Sequence, residues 1–209
     1  MKPLFDPTVA AAHLAAADER LALVIARSAT CSLRPRRLGS LYSVLFRAIV
    51  FQQLNGKAAS TILGRVEALF PGKRVEPAAL LAMSEEALRA AGLSRNKLAS
   101  VRDLAARTLD GTIPSPAEAR QLSDAELVAR LTEVRGIGPW TVHMLLMFDL
   151  GRPDVMPAGD YGVRMGFKKL YGKRSEPSPK QIERHAARWQ PYRSVAAWYL
   201  WRVHEIELP

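Results

Sequence analysis

The sequence predicts an all-helical protein, because three patterns in it agree. Apolar residues recur at three- and four-residue spacing along most of the chain, as on the buried face of an amphipathic helix. Alternation with a period of two, which is typical of strands, is nearly absent. Capping residues, prolines and glycines stand between the apolar segments, where helices would begin and end.

The N-terminal half carries the signals of six helices. Asp6 and Pro7 form a cap and first-turn pair, which predicts a helix from Pro7 to about Ala29. A basic loop at 34–37 follows this helix. The stop signals Pro71-Gly72, Gly92 and Asp110-Gly111 then help to place further helices over 41–53, 57–70, 77–83, 84–91 and 94–109.

The C-terminal half is marked by two capping boxes. Ser123 with Glu126, and Ser178 with Gln181, have the spacing in which each side chain satisfies the other residue's backbone amide. These and neighbouring signals predict helices over 125–133 and 139–150, from about 160, from 179, and over 191–205. We find no fixed-period repeat and no linker long enough to separate two independent domains.

Composition restricts the class of protein. The 209 residues are 48% hydrophobic, with 4 Trp, 5 Tyr and 6 Phe, which is far too apolar for a disordered chain. There are 30 Lys and Arg against 20 Asp and Glu, giving a net charge of +10. Such an excess suits nucleic acid or another anionic surface as a partner, and a merely solvated basic face is the other interpretation.

Cysteine content and hydropathy exclude further classes. Cys31 is the single cysteine of the sequence, so we expect no disulfide framework, no thiolate zinc site and no iron–sulfur cluster. No segment approaches the roughly 20 uninterrupted apolar residues of a membrane helix. The longest candidate, 41–51, contains Arg47, and the N-terminus does not have the pattern of a signal peptide. We expect a soluble intracellular protein.

The segment 131–141, Leu-Thr-Glu-Val-Arg-Gly-Ile-Gly-Pro-Trp-Thr, predicts two helices joined by a tight turn. Gly136 and Gly138 permit positive φ and the close approach of another backbone. With Pro139 at the first helical position, the next amides would point outward and could bind a phosphate. The same pattern also occurs at ordinary helix ends, so this motif alone leaves both interpretations open.

Two other segments carry polar groups at helix ends. Asp160 follows a Pro-Ala-Gly turn and lies close to Tyr161 and Arg164. An Asp at a helix start is ordinarily an N-cap, and these neighbours add a functional interpretation. Gln52 and Gln53 end a strongly apolar helix, which favours polar groups that point into a groove rather than into bulk water.

In this order and spacing, the three segments resemble the helix-hairpin-helix (HhH-GPD) DNA glycosylase superfamily, and most closely its 3-methyladenine DNA glycosylase II (AlkA-type) branch. The resemblance extends from about Leu41 to the C-terminus. It implies two helical subdomains that flank a DNA-binding cleft: 41–148, with the hairpin at about 125–150, and 1–40 plus 149–209. Longer AlkA-type proteins begin with a mixed α/β domain, which we expect this chain to lack.

The resemblance also implies roles for single residues. Asp160 matches the catalytic carboxylate of the family. The remaining matches are base-pocket aromatics (Trp140, Tyr161, Trp201), wedge candidates that fill the gap left by a flipped base (Gln52, Gln53, Leu54), the hairpin that binds the DNA backbone (Gly136, Gly138, Thr141) and main-chain carbonyls for a monovalent cation, Na⁺ or K⁺ (Thr132, Val134, Ile137). By their charge, Lys57, Arg135 and Arg164 are further candidates for contact with DNA phosphates, and an idle surface charge is the other interpretation of each. The basic turn at 94–97 is a further candidate for phosphate contact.

Departures from the superfamily pattern refine the expected chemistry. Bifunctional members carry a catalytic Lys two residues after the second hairpin glycine, where this chain has Trp140. We therefore expect no Schiff base and no AP-lyase activity, with water as the nucleophile. The clustered C-terminal cysteines that hold an iron–sulfur cluster in other branches are missing from this sequence, so we expect no required cofactor.

The expected function is a monofunctional DNA glycosylase of base excision repair. It would flip alkylated bases such as 3-methyladenine and 7-methylguanine out of double-stranded DNA and hydrolyse their N-glycosidic bonds with the help of Asp160. We expect a cytoplasmic monomer, associated with the nucleoid if the source is bacterial. Two alternatives stay open: a helix-hairpin-helix DNA-binding module without catalysis, and a glycosylase for oxidised or deaminated bases.

Overall fold

The computed structural model describes residues 5–36 and 39–207, and every regular element in these ranges is helical, which confirms the all-α prediction. None of the helices that it describes is long and apolar enough to cross a bilayer. The α-helices are α1 (Pro7–Ala17), α2 (Glu19–Arg27), α3 (Leu41–Phe51), α4 (Gly56–Glu67), α5 (Pro77–Ala82), α6 (Glu85–Ala90), α7 (Arg95–Leu109), α8 (Pro116–Gln121), α9 (Asp124–Leu131), α10 (Pro139–Phe148), α11 (Tyr161–Leu170), α12 (Pro179–Ala186) and α13 (Arg193–Arg202), with 3₁₀ turns at Pro71–Lys73 and Ala187–Trp189.

The N-terminal segment forms two helices, so the prediction of one helix over 7–29 was wrong. Asp18 interrupts the segment with an extended backbone, at φ −153° and ψ 105°. Its side chain accepts hydrogen bonds from the amides of Arg20 and Leu21, both at 3.1 Å. An N-cap inside a helical pattern ends one helix and starts the next, and α2 therefore begins at Glu19.

Capping side chains start most of the other helices. The predicted capping boxes at Ser123 and Ser178 both form. Ser40 with Ser43 forms a further box at the start of α3, and Ser115 with Glu118 forms one that starts α8, a helix that the sequence analysis missed. Only Ala119 of this helix is buried, so its six residues carry too weak an apolar pattern to be distinguished from a loop.

The chain divides into two compact units. Unit 1 comprises Met1–Arg37 and His143–Pro209, of which residues 5–36 and 143–207 are described, and unit 2 comprises Leu38–Val142, of which residues 39–142 are described. The structural division falls inside α10, whereas the sequence analysis placed its boundary after residue 148. The C-terminal half of α10 therefore belongs to unit 1.

The core of unit 2 forms where α7 packs against α3 and α5. Leu45 and Ile49 of α3, with Val101 and Leu104 of α7, are fully buried. Burying each such side chain contributes about 1.5–3 kcal/mol relative to leaving it exposed. This packing holds the C-terminal end of α3 in place.

In unit 1, α13 is the central helix and packs against α1, α2 and α11. Its residues 194–200 are all buried. Gly166 of α11 lies against the main chain of α13, and a Cβ at this position would overlap the carbonyl oxygen of Leu200. Glycine thus permits the close approach of α11 and α13, which fixes the position of α11 within the unit.

A buried polar cluster joins the start of α2 to the C-terminal part of unit 1. Asp18 Oδ2 lies 2.6 Å from the Tyr171 hydroxyl, 2.9 Å from His185 Nε2 and 3.2 Å from Trp189 Nε1. Burial alone would raise the pKa of Asp18, but the hydrogen bonds from His185, Tyr171, the Leu21 amide and Trp189 outweigh it and hold this pKa well below its ordinary value. Asp18 is therefore a buried anion whose charge is stabilised by its donors.

Candidate active site

Asp160 stands at the N-terminus of α11, where the backbone and one aromatic side chain fix it. Its amide donates to the Pro157 carbonyl at 2.8 Å, which closes the Pro-Ala-Gly turn. Oδ1 accepts hydrogen bonds from the Val163 amide at 2.8 Å and from Trp201 Nε1 at 2.7 Å. Both N–H donors restrict the rotation of the carboxylate, so Asp160 is more than a helix cap.

Trp201 is held by an aromatic stack within unit 1. Its ring lies 5.9 Å from that of Phe148, centroid to centroid, with an interplanar angle of 18°. Its Cδ1 would also lie 2.7 Å from a Cβ placed on Gly162. Only a glycine therefore leaves room for the indole over the first turn of α11, where its N–H reaches Asp160.

A basic side chain and a second carboxylate extend this stack. The Arg36 guanidinium lies 5.6 Å from the centroid of the Phe148 ring and 4.0 Å from Asp149 Oδ1. Burial raises the pKa of Asp149, and the Arg36 charge acts in the opposite direction. Sequence reasoning missed Phe148, Asp149 and Arg36, because only the tertiary fold brings this part of α10 next to Trp201 and the loop at 30–36.

Two predicted neighbours of Asp160 occupy different positions. The Tyr161 side chain is 72% exposed, so its ring is available to a ligand rather than packed in the core. Arg164 forms an ion pair with Glu176 at 2.9 Å and donates to the Pro177 carbonyl at 3.1 Å. Its guanidinium connects α11 with the loop before α12, and Arg164 is therefore not among the DNA contacts that we propose.

The hairpin at 131–141 lies in unit 2 and has the predicted shape: α9 ends at Leu131, and α10 begins at Pro139. Val134 and Ile137 are buried, and the Ile137 amide donates to the Val134 carbonyl at 3.0 Å. Gly136 adopts φ +80°, and a Cβ there would lie 2.8 Å from Ser100 Oγ. Gly136 is thus required both for backbone conformation and for close packing on α7.

The turn is also anchored through its backbone. The Arg135 amide donates to Asp103 Oδ2 at 2.7 Å, and the exposed Arg135 side chain points away from the core. The Val142 amide donates to the Gly138 carbonyl at 3.3 Å, so the first turn of α10 starts at Gly138. Helix N-termini carry partial positive charge and favour anions. Thr141 is buried in this turn, whereas Trp140 is 51% exposed.

The end of α3 contacts the hairpin, and this contact distinguishes Gln52 from the other two wedge candidates, Gln53 and Leu54. Gln52 Nε2 donates to the Gly136 carbonyl at 2.8 Å, so this side chain connects α3 with the turn. Gln53 has φ +58°, a left-handed backbone conformation that is uncommon for residues other than Gly, Asn or Asp. Leu54 is 40% exposed. The strained turn therefore presents Gln53 and Leu54 to solvent, while Gln52 is engaged internally.

The other basic candidates in unit 2 also differ. Lys57 is exposed in the first turn of α4. Lys97 Nζ donates to the Val50 carbonyl at 2.6 Å near the end of α3, and desolvation lowers its pKa. Lys97 thus has a helix-capping role that its charge did not reveal, whereas Arg95 and Asn96 of the same turn are exposed.

The described residues contain no group of three or more His, Cys, Asp or Glu side chains that could hold a metal ion. Such a group consists of side chains only. The main-chain carbonyls of Thr132, Val134 and Ile137 are a different kind of ligand and remain candidates for a monovalent cation. Carbonyl oxygens are the ligands that alkali cations use in proteins. The Val134 carbonyl accepts one amide hydrogen bond and retains a second lone pair.

An all-helical chain with a glycine-containing helical hairpin, and with a carboxylate fixed at a helix start further along, defines a helix-hairpin-helix protein. The comparison with protein families makes this assignment specific. The chain belongs to the HhH-GPD superfamily of base excision DNA repair proteins, whose family model matches residues 46–191. This confirms the superfamily that the sequence motifs indicated.

Individual relatives support the same branch. The chain is 40% identical over 166 residues to DNA-3-methyladenine glycosylase 1 of Schizosaccharomyces pombe, covering 79% of this chain and 73% of the relative. A crystal structure of a DNA-3-methyladenine glycosidase from Bacillus halodurans matches with a TM-score of 0.84 and 35% identity, over 96% of this chain and 90% of that one. An S. pombe 3-methyladenine DNA glycosylase in complex with abasic DNA matches with a TM-score of 0.77 and 37% identity, over 94% and 97%.

Proposed function

We propose that the protein is a monofunctional DNA glycosylase that removes alkylated bases, among them 3-methyladenine and 7-methylguanine, from double-stranded DNA. The observation that carries this proposal is the carboxylate of Asp160, held at the start of α11 by the Trp201 indole at 2.7 Å and the Val163 amide at 2.8 Å. The family membership and the names of the relatives support the same activity.

The proposed reaction proceeds through departure of the base. The target nucleotide leaves the stack, because its glycosidic carbon is unreachable inside a duplex. Rupture of the N-glycosidic bond leaves an oxocarbenium-like sugar. The ionised Asp160 stabilises that positive charge and orients or deprotonates the attacking water. The fixed Oδ1 limits reorganisation of the carboxylate as the charge develops.

The choice of base is proposed to rest on leaving-group lability and stacking. A base alkylated at N3 or N7 of a purine carries a formal positive charge, which weakens its glycosidic bond. Electron-rich rings attract such a cation by about 0.5–2 kcal/mol. Trp201 and the exposed Tyr161 provide such rings in unit 1, and the exposed Trp140 is a candidate in unit 2. A general acid strong enough to expel a neutral base is not needed.

Strand cleavage is not part of the proposed reaction. A lyase needs an amine that can form a Schiff base at the sugar. At the position two residues after Gly138, this chain has Trp140, whose indole nitrogen cannot do so. The abasic product should therefore remain intact until another enzyme or alkali cleaves it.

We propose that the hairpin, the start of α4 and the turn after α3 bind the DNA. The backbone of Gly136 and Gly138, the start of α10 including Thr141, and the side chains of Arg135 and Lys57 are suited to phosphates. Gln53 or Leu54, presented by the turn after α3, would fill the gap that the flipped base leaves. We also propose that Na⁺ or K⁺ binds the hairpin carbonyls and supplies positive charge near a phosphate.

The direct test is an assay of released bases. Purified protein is incubated with methylated duplex DNA, and free bases and broken strands are both measured before alkali treatment. Release of 3-methyladenine or 7-methylguanine with uncleaved strands is the expected result. DNA binding without release would favour a non-catalytic binding module, and a preference for oxidised or deaminated bases would refute the proposed specificity. Strand cleavage would require an overlooked amine.

A further inference from the structure

A groove of about 760 Å³ runs along α11 in unit 1 and continues past the end of this helix. It starts at Tyr161, the residue that follows Asp160, and passes Met165 to reach Lys168, Lys173 and Arg174. The distal part of this groove has no role in the proposed excision of the base. Its lining residues are mainly basic or apolar, and none of them is an Asp or Glu.

The basic side chains of the groove fall into two kinds. Lys169 Nζ donates to the carbonyls of Val203 at 2.8 Å and Ile206 at 3.3 Å, so this side chain has a structural role after α13. Lys168, Lys173 and Arg174 form no ion pair with any other described residue. Three cations that line one groove, without an ion-pair partner in the described part of the chain, indicate an anionic ligand.

The length of the groove indicates how many anions it can contact. The ten residues of α11 span about 15 Å, at about 1.5 Å per residue. One strand of duplex DNA advances about 3.4 Å per nucleotide along the helix axis. Along α11 the groove can therefore follow a strand for about four nucleotides from Asp160. Four nucleotides are joined by about three phosphates, which equals the number of cations without an ion pair in the groove.

We propose that this groove, defined by Tyr161, Met165, Lys168, Lys173 and Arg174, binds the sugar-phosphate backbone of the DNA strand that carries the damaged nucleotide. The inference rests on the proposed function, since Asp160 would face the sugar of that nucleotide. Tyr161 follows Asp160 in sequence and lines one end of the groove. The strand whose sugar faces the Asp160 carboxylate is therefore the strand that lies next to this end of the groove. The charge favours phosphates over a neutral ligand.

The test compares two triple variants with the wild type. The groove variant is Lys168→Gln, Lys173→Gln and Arg174→Gln. The control variant, Arg27→Gln, Lys180→Gln and Arg184→Gln, removes the same charge from exposed positions of unit 1 that do not line the groove. The equilibrium Kd for a duplex with a stable abasic-site analogue is measured by fluorescence anisotropy at several salt concentrations, and thermal melting confirms that each variant folds.

Each phosphate contact contributes about −0.9 to the slope of log K against log salt, so the groove variant should have a slope shallower by about 2.7. The affinity gap between this variant and the wild type should then narrow about 40-fold as salt rises from about 50 to about 200 mM. The control variant should keep the wild-type slope. An unchanged slope in the groove variant, or equal changes in both variants, would overturn the inference.

A second measurement identifies the strand. Neutral methylphosphonates replace up to four phosphates on either side of the abasic analogue, first in the damaged strand and then in its complement. We expect replacement on one side of the damaged strand to weaken binding by the wild type much more than by the groove variant. Sensitivity confined to the complementary strand would refute the assignment. If the wild type releases no methylated base and binds no DNA, the proposed function itself fails, and this outcome differs from both groove results.

Discussion

The hydrogen bond from Trp201 to Asp160 gives the most specific prediction about catalysis. Replacing Trp201 by Phe keeps an aromatic ring to stack on Phe148 but removes the N–H donor at 2.7 Å from Oδ1. Hydrogen bonds to charged groups contribute about 1.5–3 kcal/mol net. Since about 1.4 kcal/mol corresponds to a factor of ten, base release should slow about 10- to 100-fold.

The assay is single-turnover release of 7-methylguanine at saturating enzyme, with the Kd for an abasic-analogue duplex measured separately. Trp198→Phe is the matched control, because Trp198 lies on the same helix but contacts Tyr199 edge to face and Arg202 across its ring face. We expect the Trp201 variant to lose rate with little change in Kd, and the control to keep the wild-type rate. Equal rates for the wild type and Trp201→Phe would refute the idea that the indole positions the carboxylate.

Three further predictions concern the hairpin, the wedge and the buried anion. Gly136→Ala should lower the free energy of unfolding, measured by urea titration, by about 1–2 kcal/mol, because Gly136 has a φ of +80° and its Cβ would contact Ser100. Gly138 has open space at its Cβ, so Gly138→Ala should keep the wild-type stability but weaken DNA binding measured by fluorescence anisotropy. Leu54→Ala should leave stability within about 0.5 kcal/mol yet slow base release, and an unchanged rate would exclude Leu54 as the wedge. Asp18→Asn should cost about 2–4 kcal/mol at neutral pH. Because folding lowers the pKa of Asp18, its contribution is present above the unfolded value of 3.8 and is lost as pH falls below it, so melting curves of wild type and variant should converge in acid rather than in base.

Local signals in the sequence predicted much of the fold. Capping boxes, prolines and helix-stop glycines act over three or four residues, so they place α9, α10 and α12 correctly. Asp18 shows where this reasoning failed. Its capping role was hidden inside a continuous helical pattern, and the three side chains that bind its carboxylate lie more than 150 residues away in the sequence.

The candidate site follows the same rule. Asp160 and the hairpin were found because their turns are encoded locally, next to Pro157 and Pro139. The partners of Gln52 and Arg164 could not be predicted, because each forms through tertiary contact: Gln52 with the hairpin carbonyl of Gly136, and Arg164 with Glu176. The sequence shows which groups a charged or amide side chain can bind. Only the fold shows whether that side chain is already bound to another residue of the protein.

The role of Asp160 is tested most directly by single-turnover base release with Asp160→Asn. Asn can still accept the Val163 amide as an N-cap, so the variant should fold and bind abasic-analogue DNA like the wild type. Without the negative charge, release of 7-methylguanine should fall by about 10²- to 10⁴-fold. Release at the wild-type rate by a folded, DNA-binding Asp160→Asn protein would contradict the proposed mechanism.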